Sequence, residues 1–450
     1  MRMPSFASGR SATIKVATIA VLILVLLIPV GMIRSVIFDR GNNESVAVRD
    51  ISRSWGGEQL ITGPILRLPY RGRNVTVYGS TYAQPKNAYV LSEQLKIVAD
   101  VRSEIRYRGI QKVPVYKASI SMRGYLDPAV IEKLDIDIAT VDWQTAELLI
   151  GISESTALVK VPLLTIGNRD VKLESGSKQV AGLPHQLGAS IGEQLDGDGS
   201  PIEFEITLLV NGTGALRFLP LAGSAEATMT SNWSSPSFTG RRLPGEREVR
   251  DDGFDASWQA SSLGRALPSA WIDTHSALGD ASGGAFGVRL IQTVGLYQLM
   301  HRAIRYAVLF IGLTFVTYFL MEIVGKLRLH PLQYLLVGLA NTLFYMLLLA
   351  LSEHIGFDLA YTISAMASAA LISGYSAAIL ERRTRAVLVA LVLAGLYLFL
   401  YLTLKAETFA LLAGSIGLWA VLAAVMYLTR RINWYASDED AQLKRSEPVS

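Results

Sequence analysis

Apolar residues in this chain are gathered into six long runs near its two ends. The first run is Val16–Ile33, and the other five crowd the last third of the sequence, at Tyr306–Ile323, Leu332–Leu351, Leu359–Ile379, Ala386–Leu404 and Phe409–Tyr427. Each run is close to the roughly 20 residues that a helix needs to cross the hydrocarbon core of a bilayer. The connections between the last five runs are too short to hold domains, so neighbouring helices are expected to be antiparallel. The pattern predicts a membrane α-helical bundle of six transmembrane helices.

The first run could instead belong to a cleavable signal peptide, because basic residues precede it. Val16–Ile33 is 18 residues long, which exceeds the usual apolar core of a signal peptide, about 7–15 residues. No small-x-small cleavage site stands between this run and Arg34. These two features favour a helix that is retained as a membrane anchor.

The residues between the first and second runs repeatedly alternate between apolar and polar positions. Tyr116–Arg123, Ile202–Leu208 and Phe254–Gln259 are the clearest examples. Such alternation is typical of antiparallel strands with one buried and one solvent-facing side. We therefore expect residues 34–303 to form a large β-rich, sandwich-like domain with some helix, inserted between helices 1 and 2.

Turn signals add detail to this domain. Asn211-Gly212 is a strong hairpin signal, and Ala215–Leu219 could return as the partner strand. Asp127–Ile152 favours helix or mixed structure, because Pro128 suits a first helical turn. Gly176–Gly199 and Ser234–Gly253 are rich in turn-forming or charged residues and are expected to be long loops.

Charge counts in the short loops predict the orientation in the membrane. Every second loop is basic: Lys326, Arg328 and His330 follow the second run, Arg382, Arg383 and Arg385 follow the fourth, and Arg430 and Arg431 follow the sixth. The alternate loops, Ser352–Asp358 and Lys405–Thr408, contain a single basic residue, Lys405. The excess of positive charge marks the cytoplasmic side. This arrangement predicts a multi-pass protein of a bacterial inner membrane, with residues 1–15 and 429–450 in the cytoplasm, a helix at 16–33, a periplasmic domain at 34–303 and a five-helix bundle at 304–428.

Composition supports a membrane protein and narrows its chemistry. The chain has 450 residues, of which 50% are hydrophobic and only 18% charged, whereas soluble domains have about 25% charged residues. Residues 34–301 hold 27 Lys and Arg against 29 Asp and Glu, so the basic surplus lies with the apolar runs rather than on a nucleic-acid-binding face. Cysteine is absent, which excludes disulfides, thiolate metal sites and a cysteine nucleophile.

Motifs for catalysis or cofactor binding are weak. The sequence contains neither a GxxxxGKS phosphate loop nor an HExxH string, and its five histidines lack metal-ligand spacing. Ser175 and Lys178 match a Ser-x-x-Lys pattern within a flexible Gly/Ser-rich stretch, where a lysine would keep its proton. Gly279–Gly287 is glycine-rich without a surrounding strand–helix unit, so a flexible approach to the membrane is the favoured interpretation. We predict no catalytic, cofactor-binding or metal-binding residues, and neither nucleic acid nor nucleotide as a partner.

Polar residues close to the apolar runs are candidates for a functional site, because such groups are costly in lipid. Asn341 is in the middle of a run, and six acidic or histidine side chains lie at run ends or in short loops: Glu322, Glu353, His354, Asp358, Glu381 and Glu407. An interfacial position is the favoured interpretation for the acids. The adjacent Glu353 and His354 are the best pair, since a proton could pass between them.

A second candidate group precedes the second run. Tyr297, His301 and Arg305 are spaced four residues apart, with Arg302 beside them. This spacing predicts an amphipathic segment that enters the bilayer with aromatic and cationic groups at head-group level. Contact with lipid phosphate is one hypothesis for Tyr297 and Arg302, and ordinary interfacial anchoring is the other.

Several strings in this sequence resemble the CreD-like family of bacterial inner-membrane proteins. They cover almost the whole chain: GGEQLITGPILRLPY (56–70), FLPLAGSAEATMTSNWSSPSFTG (218–240), AFGVRLIQTVGLYQ (285–298), RAIRYAVLFIGLTFVTYFLMEI (302–323), LRLHPLQYLLVGLANTLFYMLLLALSEHIGFDLAY (327–361) and AAVMYLTRRINWY (423–435). The resemblance implies a role in envelope homeostasis and carries no catalytic residue, cofactor or substrate. The positions that match the family motif are His330, Pro331, Gln333, Tyr334, Glu353 and His354. His330 and Gln333 join the candidates on that ground.

Three functions are compatible with these features. The first is a non-enzymatic envelope protein that acts through its periplasmic domain, with the lipid bilayer and periplasmic or inner-membrane envelope proteins as partners. The second is a component of a transport or export system for envelope-active compounds. The third is an enzyme acting on envelope lipid or peptidoglycan, for which the sequence offers no nucleophile. Trp233, Trp258 and Trp271 would form the contact surface in the first hypothesis, or else belong to the core.

Overall fold

The chain folds into two compact units, of which one is helical and the other is rich in strands. The computed structural model describes residues 10–77, 80–175, 180, 183–261, 268–272, 281–290, 295–325, 329–380, 383–406 and 410–430. Residues 1–42 and 294–450 belong to the helical unit, and residues 43–293 form the strand-rich unit. The predicted loop residues 176–179 and 181–182 lie outside the described part of the chain.

The described residues contain seven helices. They are α1 (Arg10–Trp55), α2 (Leu296–Arg305), α3 (Ala307–Gly325), α4 (Pro331–Ile355), α5 (Phe357–Ile379), α6 (Arg383–Lys405) and α7 (Ala410–Thr429). Six of them cover the six predicted apolar runs, and α2 covers the predicted amphipathic segment before the second run. Among the described residues, α1, α4, α5 and α6 are long and apolar enough to cross a membrane, and α2 with α3 would make a fifth span bent by 42°. The β-rich and helical parts of the predicted fold are therefore confirmed. The count of six spans stays a prediction.

Helix α1 is longer than its apolar run and continues to Trp55. It therefore includes residues 34–55, which were predicted to belong to the β-rich domain. The last turns carry Ala47, Ile51 and Trp55 at four-residue spacing, which is a helical rather than a strand period. In the strand-rich unit, this stripe packs against Val113 and Val115. Residues 34–55 are thus helical because their apolar positions repeat with the period of a helix.

Close packing in the helical unit depends on a glycine of α4. A Cβ atom at Gly338 would collide with the side chains of Leu26 from α1 and Phe315 from α3. Small residues at such positions let membrane helices approach each other closely. The buried core around this contact includes Ile37, Phe344 and Tyr345.

The strand-rich unit contains sixteen strands among its described residues. They are β1 (Gln59–Val77), β2 (Ser80–Arg108), β3 (Gln111–Leu126), β4 (Glu147–Ile152), β5 (Leu163–Ile166), β6 (Arg169–Lys172), β7 (Glu174–Ser175), β8 (Gln186–Ser190), β9 (Ile202–Thr213), β10 (Ala215–Pro220), β11 (Ala222–Ser231), β12 (Pro236–Gly240), β13 (Glu246–Arg250), β14 (Gly253–Ser261), β15 (Ala270–Ile272) and β16 (Phe286–Leu290). Short 3-10 helices at Pro128–Leu134, Ile138–Thr140 and Trp143–Thr145 provide the mixed structure expected there.

Strand β2 joins two groups of strands into one hydrogen-bonded network. Its first part pairs with β1 and β15, and its second part pairs with β3 and β11. The main path runs β12-β16-β10-β1-β2-β3-β9-β5-β6, with β11, β14 and β13 branching from β2 and with β4, β8 and β7 branching from β1. The pairing register shifts between Ser92 and Gln94, where the Ser92 hydroxyl donates to the Gln94 and Tyr125 carbonyls. This irregularity lets a single long strand serve both groups.

The alternation read from the sequence matches the burial of the strands. In β3, β9 and β14 the apolar positions are buried and most of the positions between them are exposed or half-buried. Trp258 is 1% exposed and stacks on Phe286, and Trp271 stacks on Tyr89. Trp258 and Trp271 therefore belong to the core, and the hypothesis that they form a contact surface is wrong.

Three local predictions fail. Asn211 and Gly212 do not form a hairpin turn, because both stay within β9 and pair with Lys117 and Tyr116 of β3. The chain bends instead at Gly214, whose φ of +73° suits glycine, and β10 pairs in parallel with β1. The predicted loop Ser234–Gly253 contains β12 and β13, and the described part of the predicted loop Gly176–Gly199 contains β8. Strand β12 pairs with the distant β16, whereas β13 forms a hairpin with the following β14, so these segments gain the hydrogen bonds of a sheet.

Candidate functional site

At one end of the helical unit, the buried carboxylate of Glu322 forms contacts that join α1, α3 and α4. Glu322, near the end of α3, is only 4% exposed. Its Oε2 accepts a hydrogen bond of 3.0 Å from the Tyr334 hydroxyl of α4, and its Oε1 accepts one of 3.1 Å from the Leu329 amide. Lys15 of α1 forms an ion pair with the same carboxylate. The charge of Glu322 is thus compensated where it is removed from water.

His330 and Gln333 lie at this same end and close the N-terminus of α4. The His330 amide donates to the Gln333 Oε1 at 3.0 Å, and the Leu332 amide donates to the His330 Nδ1 at 3.2 Å. This reciprocal arrangement is a capping box, which satisfies amides that the helix leaves without partners. Both candidate residues therefore have a structural contact that accounts for their spacing of three.

At the opposite end of α4, the carboxylate of Glu353 contacts residues of α1 and α2. The Tyr297 hydroxyl of α2 donates to the Glu353 Oε1 at 3.0 Å, and the Arg40 Nε of α1 lies 3.8 Å from the same oxygen. The Glu353 side chain is 10% exposed, and Tyr297 is buried. The structure thus brings together two of the candidate residues, Tyr297 and Glu353, and adds Arg40.

The remaining candidates lie near this end without joining the Glu353 group. His354 is exposed, and among the described residues Glu353 receives its contacts from Tyr297 and Arg40 rather than from His354. The Arg302 Nη1 donates to the Leu404 carbonyl at the end of α6, at 3.2 Å. Asp358 forms an ion pair of 2.7 Å with Lys405. The end of α4 is therefore surrounded by polar groups from α1, α2, α5 and α6.

The two carboxylate groups are separated by nearly the whole length of α4. Tyr334 lies in its first turn and Glu353 in its last, so a rise of 1.5 Å per residue puts them about 28 Å apart. The hydrocarbon core of a bilayer is about 30 Å thick. Helix α1 contacts one group through Lys15 and the other through Arg40, so it runs alongside α4 from one end to the other.

Polar side chains without partners lie between these two ends. Asn341 is completely buried, and within the described part of the chain neither its Oδ1 nor its Nδ2 has a hydrogen-bond partner. The hydroxyls of Tyr345 and Ser364, both on fully buried residues, are likewise without a partner there. Phe344 contacts the rings of Tyr345 and Tyr397 at centroid distances of 4.9 and 4.8 Å. Unpaired buried polar atoms cost about 1–3 kcal/mol each, so this region is a third candidate site.

The burial of Glu322 and the ion pairs that Lys15 and Arg40 form with Glu322 and Glu353 were not predicted from the sequence. Glu322 stands near the end of an apolar run, which predicts an interfacial position, and nothing in a linear pattern shows that a residue 307 positions away compensates its charge. Tyr334, four positions after His330, was the available signal, since a tyrosine in a first helical turn can reach a carboxylate. No group of three or more His, Cys, Asp or Glu suited to a metal ion occurs among the residues that the structure describes.

Comparison with known proteins agrees with the membrane architecture. The family model described as "Inner membrane protein CreD" matches residues 11–435. The chain is also similar to the inner membrane protein CreD of Escherichia coli strain K12, with 33% identity over 420 residues, which is 92% of both chains.

We expect Lys15 and Glu322 to stabilise the helical unit as a pair. The substitution K15A leaves a buried carboxylate without its cation and should cost about 3 kcal/mol, whereas E322Q keeps an acceptor for the Leu329 amide and should cost about 1 kcal/mol. The double variant should recover most of the loss caused by K15A. Unfolding of the purified protein in mixed micelles measures these differences. The matched control is R34A, an exposed residue of the same helix, and an equal effect of K15A and R34A would contradict the assignment.

Proposed function

Since the chain belongs to the CreD family of inner membrane proteins, we propose that it supports the integrity of the cell envelope without catalysing a reaction. It does so through its strand-rich unit, which lies in the periplasm, while the helical unit anchors it with both chain ends in the cytoplasm. Lipid and envelope proteins are its partners. The single observation that carries the proposal is the contact of Glu353 with Arg40 and Tyr297.

Arg40 and Tyr297 stand next to the two points where the chain passes between the units. The first part of the helical unit ends at Asn42, two residues after Arg40. Its second part begins at Val294, three residues before Tyr297. Glu353 therefore contacts α1 and α2 close to the residues at which the chain leaves and re-enters the helical unit. This three-residue contact, called the joint below, suits a structural or sensing role in the envelope.

Charge supports the periplasmic placement. The Lys15–Glu322 end of α4 is the end at which the basic loop residues His330 and Arg328 stand in the sequence, and the Glu353 end is followed by a loop without Lys or Arg. Positive residues favour the cytoplasmic side. The connections to the strand-rich unit leave from the other end, which supports a periplasmic position for it.

A reporter enzyme that is active only after export, fused at the exposed Gln144, should be active in intact cells. A matched fusion after Thr429 should be inactive, because that end is expected in the cytoplasm. Activity of the second fusion and silence of the first would refute the orientation.

We expect E353A to impair the function while leaving the amount of membrane-inserted protein unchanged. Cells that lack the native gene and carry the E353A variant should tolerate envelope-active agents as poorly as cells with no copy, and Y297F should have a weaker effect in the same direction because Arg40 still contacts the carboxylate. The control D358N changes another acid at the same end of the helices and should retain full tolerance. Equal tolerance of the E353A and native strains would count against the proposed joint.

The buried polar region of the helices favours transport as a second candidate function. Asn341, Tyr345 and Ser364 could face a water-filled path, since polar groups at membrane depth commonly line such paths. A component of an export system would need one.

A transport role predicts that the variant N341C reacts with a membrane-impermeant thiol reagent. The native chain has no cysteine, so the background is clean. L343C serves as the control, because Leu343 is 53% exposed on the apolar outer surface of the unit and faces lipid rather than water. Protection of N341C to the same degree as L343C would exclude a water-accessible path at this depth.

A further inference from the structure

Four neighbouring strands of the strand-rich unit present two aligned rows of polar side chains. Pairing between β3, β2, β11 and β14 sets the order of each row. The first row is Tyr125, Gln94, Ser224 and Ser261, and the second is Arg123, Lys96, Glu226 and Gln259. Leu95, Ala225 and Ala260, which alternate with these residues, are buried in the core. The rows therefore form the outer face of the sheet.

This face is concave and forms a groove of about 740 Å³. Arg242 closes one side of it, since its Nη1 and Nη2 donate to the carbonyls of Gln259 and Ser261 at 3.2 and 3.5 Å. The Tyr125 hydroxyl donates to Glu93 at 2.6 Å, which restrains the tyrosine ring at the other side. We name these residues, together with the two rows, the polar groove.

The polar groove carries more positive than negative charge. It contains three cations, Lys96, Arg123 and Arg242, and two carboxylates, Glu226 and the Glu93 that accepts the Tyr125 hydrogen bond. Arg123 is paired with Glu205 at 2.8 Å, and its hydrogen bond holds the pKa of Glu205 below the ordinary value. Among the described residues Lys96 takes part in no salt bridge, and it is exposed at the centre of its row. A ligand with negative charge would complement this lining.

The position of the groove disfavours an added peptide strand. Peptides commonly extend a sheet by pairing with the free main-chain groups of an edge strand. Here β3, β2 and β11 pair with neighbours on both sides. The pairing of β14 with β13 ends at Ser257, and beyond it Arg242 occupies the carbonyls of Gln259 and Ser261 that an added strand would need. Recognition must therefore come from side chains.

Those side chains match a carbohydrate. Two glutamines and two serines offer donors and acceptors at alternating positions, as sugar hydroxyls and acetamido groups require. The Tyr125 ring offers an apolar surface for one face of a pyranose ring. From this combination we propose that the polar groove binds a glycan strand that carries carboxylates, with Lys96 as the residue that contacts a carboxylate. The proposal deepens the function given above, because it rests on a periplasmic position of the strand-rich unit.

Binding can be measured with the full-length protein in nanodiscs of zwitterionic lipid. The probe is a peptide-free oligomer of alternating N-acetylglucosamine and N-acetylmuramic acid, and its matched control is an N-acetylglucosamine oligomer of equal length, which lacks carboxylates. Calorimetry should show binding of the acidic oligomer at least about tenfold tighter than that of the control, because a charge-assisted hydrogen bond is lost with the carboxylate.

The variant K96E should weaken binding of the acidic oligomer at least about tenfold, since it replaces attraction by repulsion. Its matched control is K117E. Lys117 is exposed on the same face of the sheet but outside the groove lining, so this variant should bind like the native protein. Equal affinities of K96E and K117E would overturn the proposal, as would equal binding of both oligomers or tighter binding of an acidic hexapeptide. Because this assay uses purified protein, its failure is distinct from failure of the Gln144 reporter, which would remove the periplasmic placement.

Discussion

The low polarity of the lipid core is the constraint on which the helical unit depends. A carboxylate in such surroundings is stable only when it is paired and hydrogen-bonded. The chain accordingly has a compensated carboxylate at each end of α4, Glu322 with Lys15 and Tyr334, and Glu353 with Arg40 and Tyr297. These two groups draw α1, α2 and α3 onto α4, and their spacing is close to the thickness of the hydrocarbon. The contacts that compensate the two carboxylates therefore also fix the positions of the helices.

The strand-rich unit solves a different problem, which is to bury one face of many strands. Its long β2 pairs with two groups of neighbours and turns from one to the other at Ser92, where a side-chain hydroxyl supplies the hydrogen bonds that the ladder loses. The inner face carries Trp258 and other large apolar residues. The outer face is left polar and concave. A surface suited to recognition thus follows from the alternation that builds the core.

Within the helical unit, the Glu353 group lies beside the residues at which the chain leaves and re-enters that unit. Asn341 and Tyr345 lie in α4 between the two carboxylate groups, and their side-chain polar atoms have no hydrogen-bond partner among the described residues. A small change of packing would alter their surroundings.

Much of the architecture was predictable from the sequence because hydrophobic burial has a period that a linear pattern displays. The long apolar runs predict α3 to α7 within a few residues, and the alternation in β3, β9 and β14 predicts which side chains are buried. The sequence also pointed to Tyr297 and Glu353, since both are polar residues beside apolar runs. Tertiary structure alone decided which groups meet. Glu322 finds Lys15 across 307 residues, Asn211 stays in a strand because β3 lies beside it, and Lys96 shares a row with Glu226 only after β2 and β11 pair. Those contacts depend on distances between segments, and the order of residues along a chain carries no direct record of such distances.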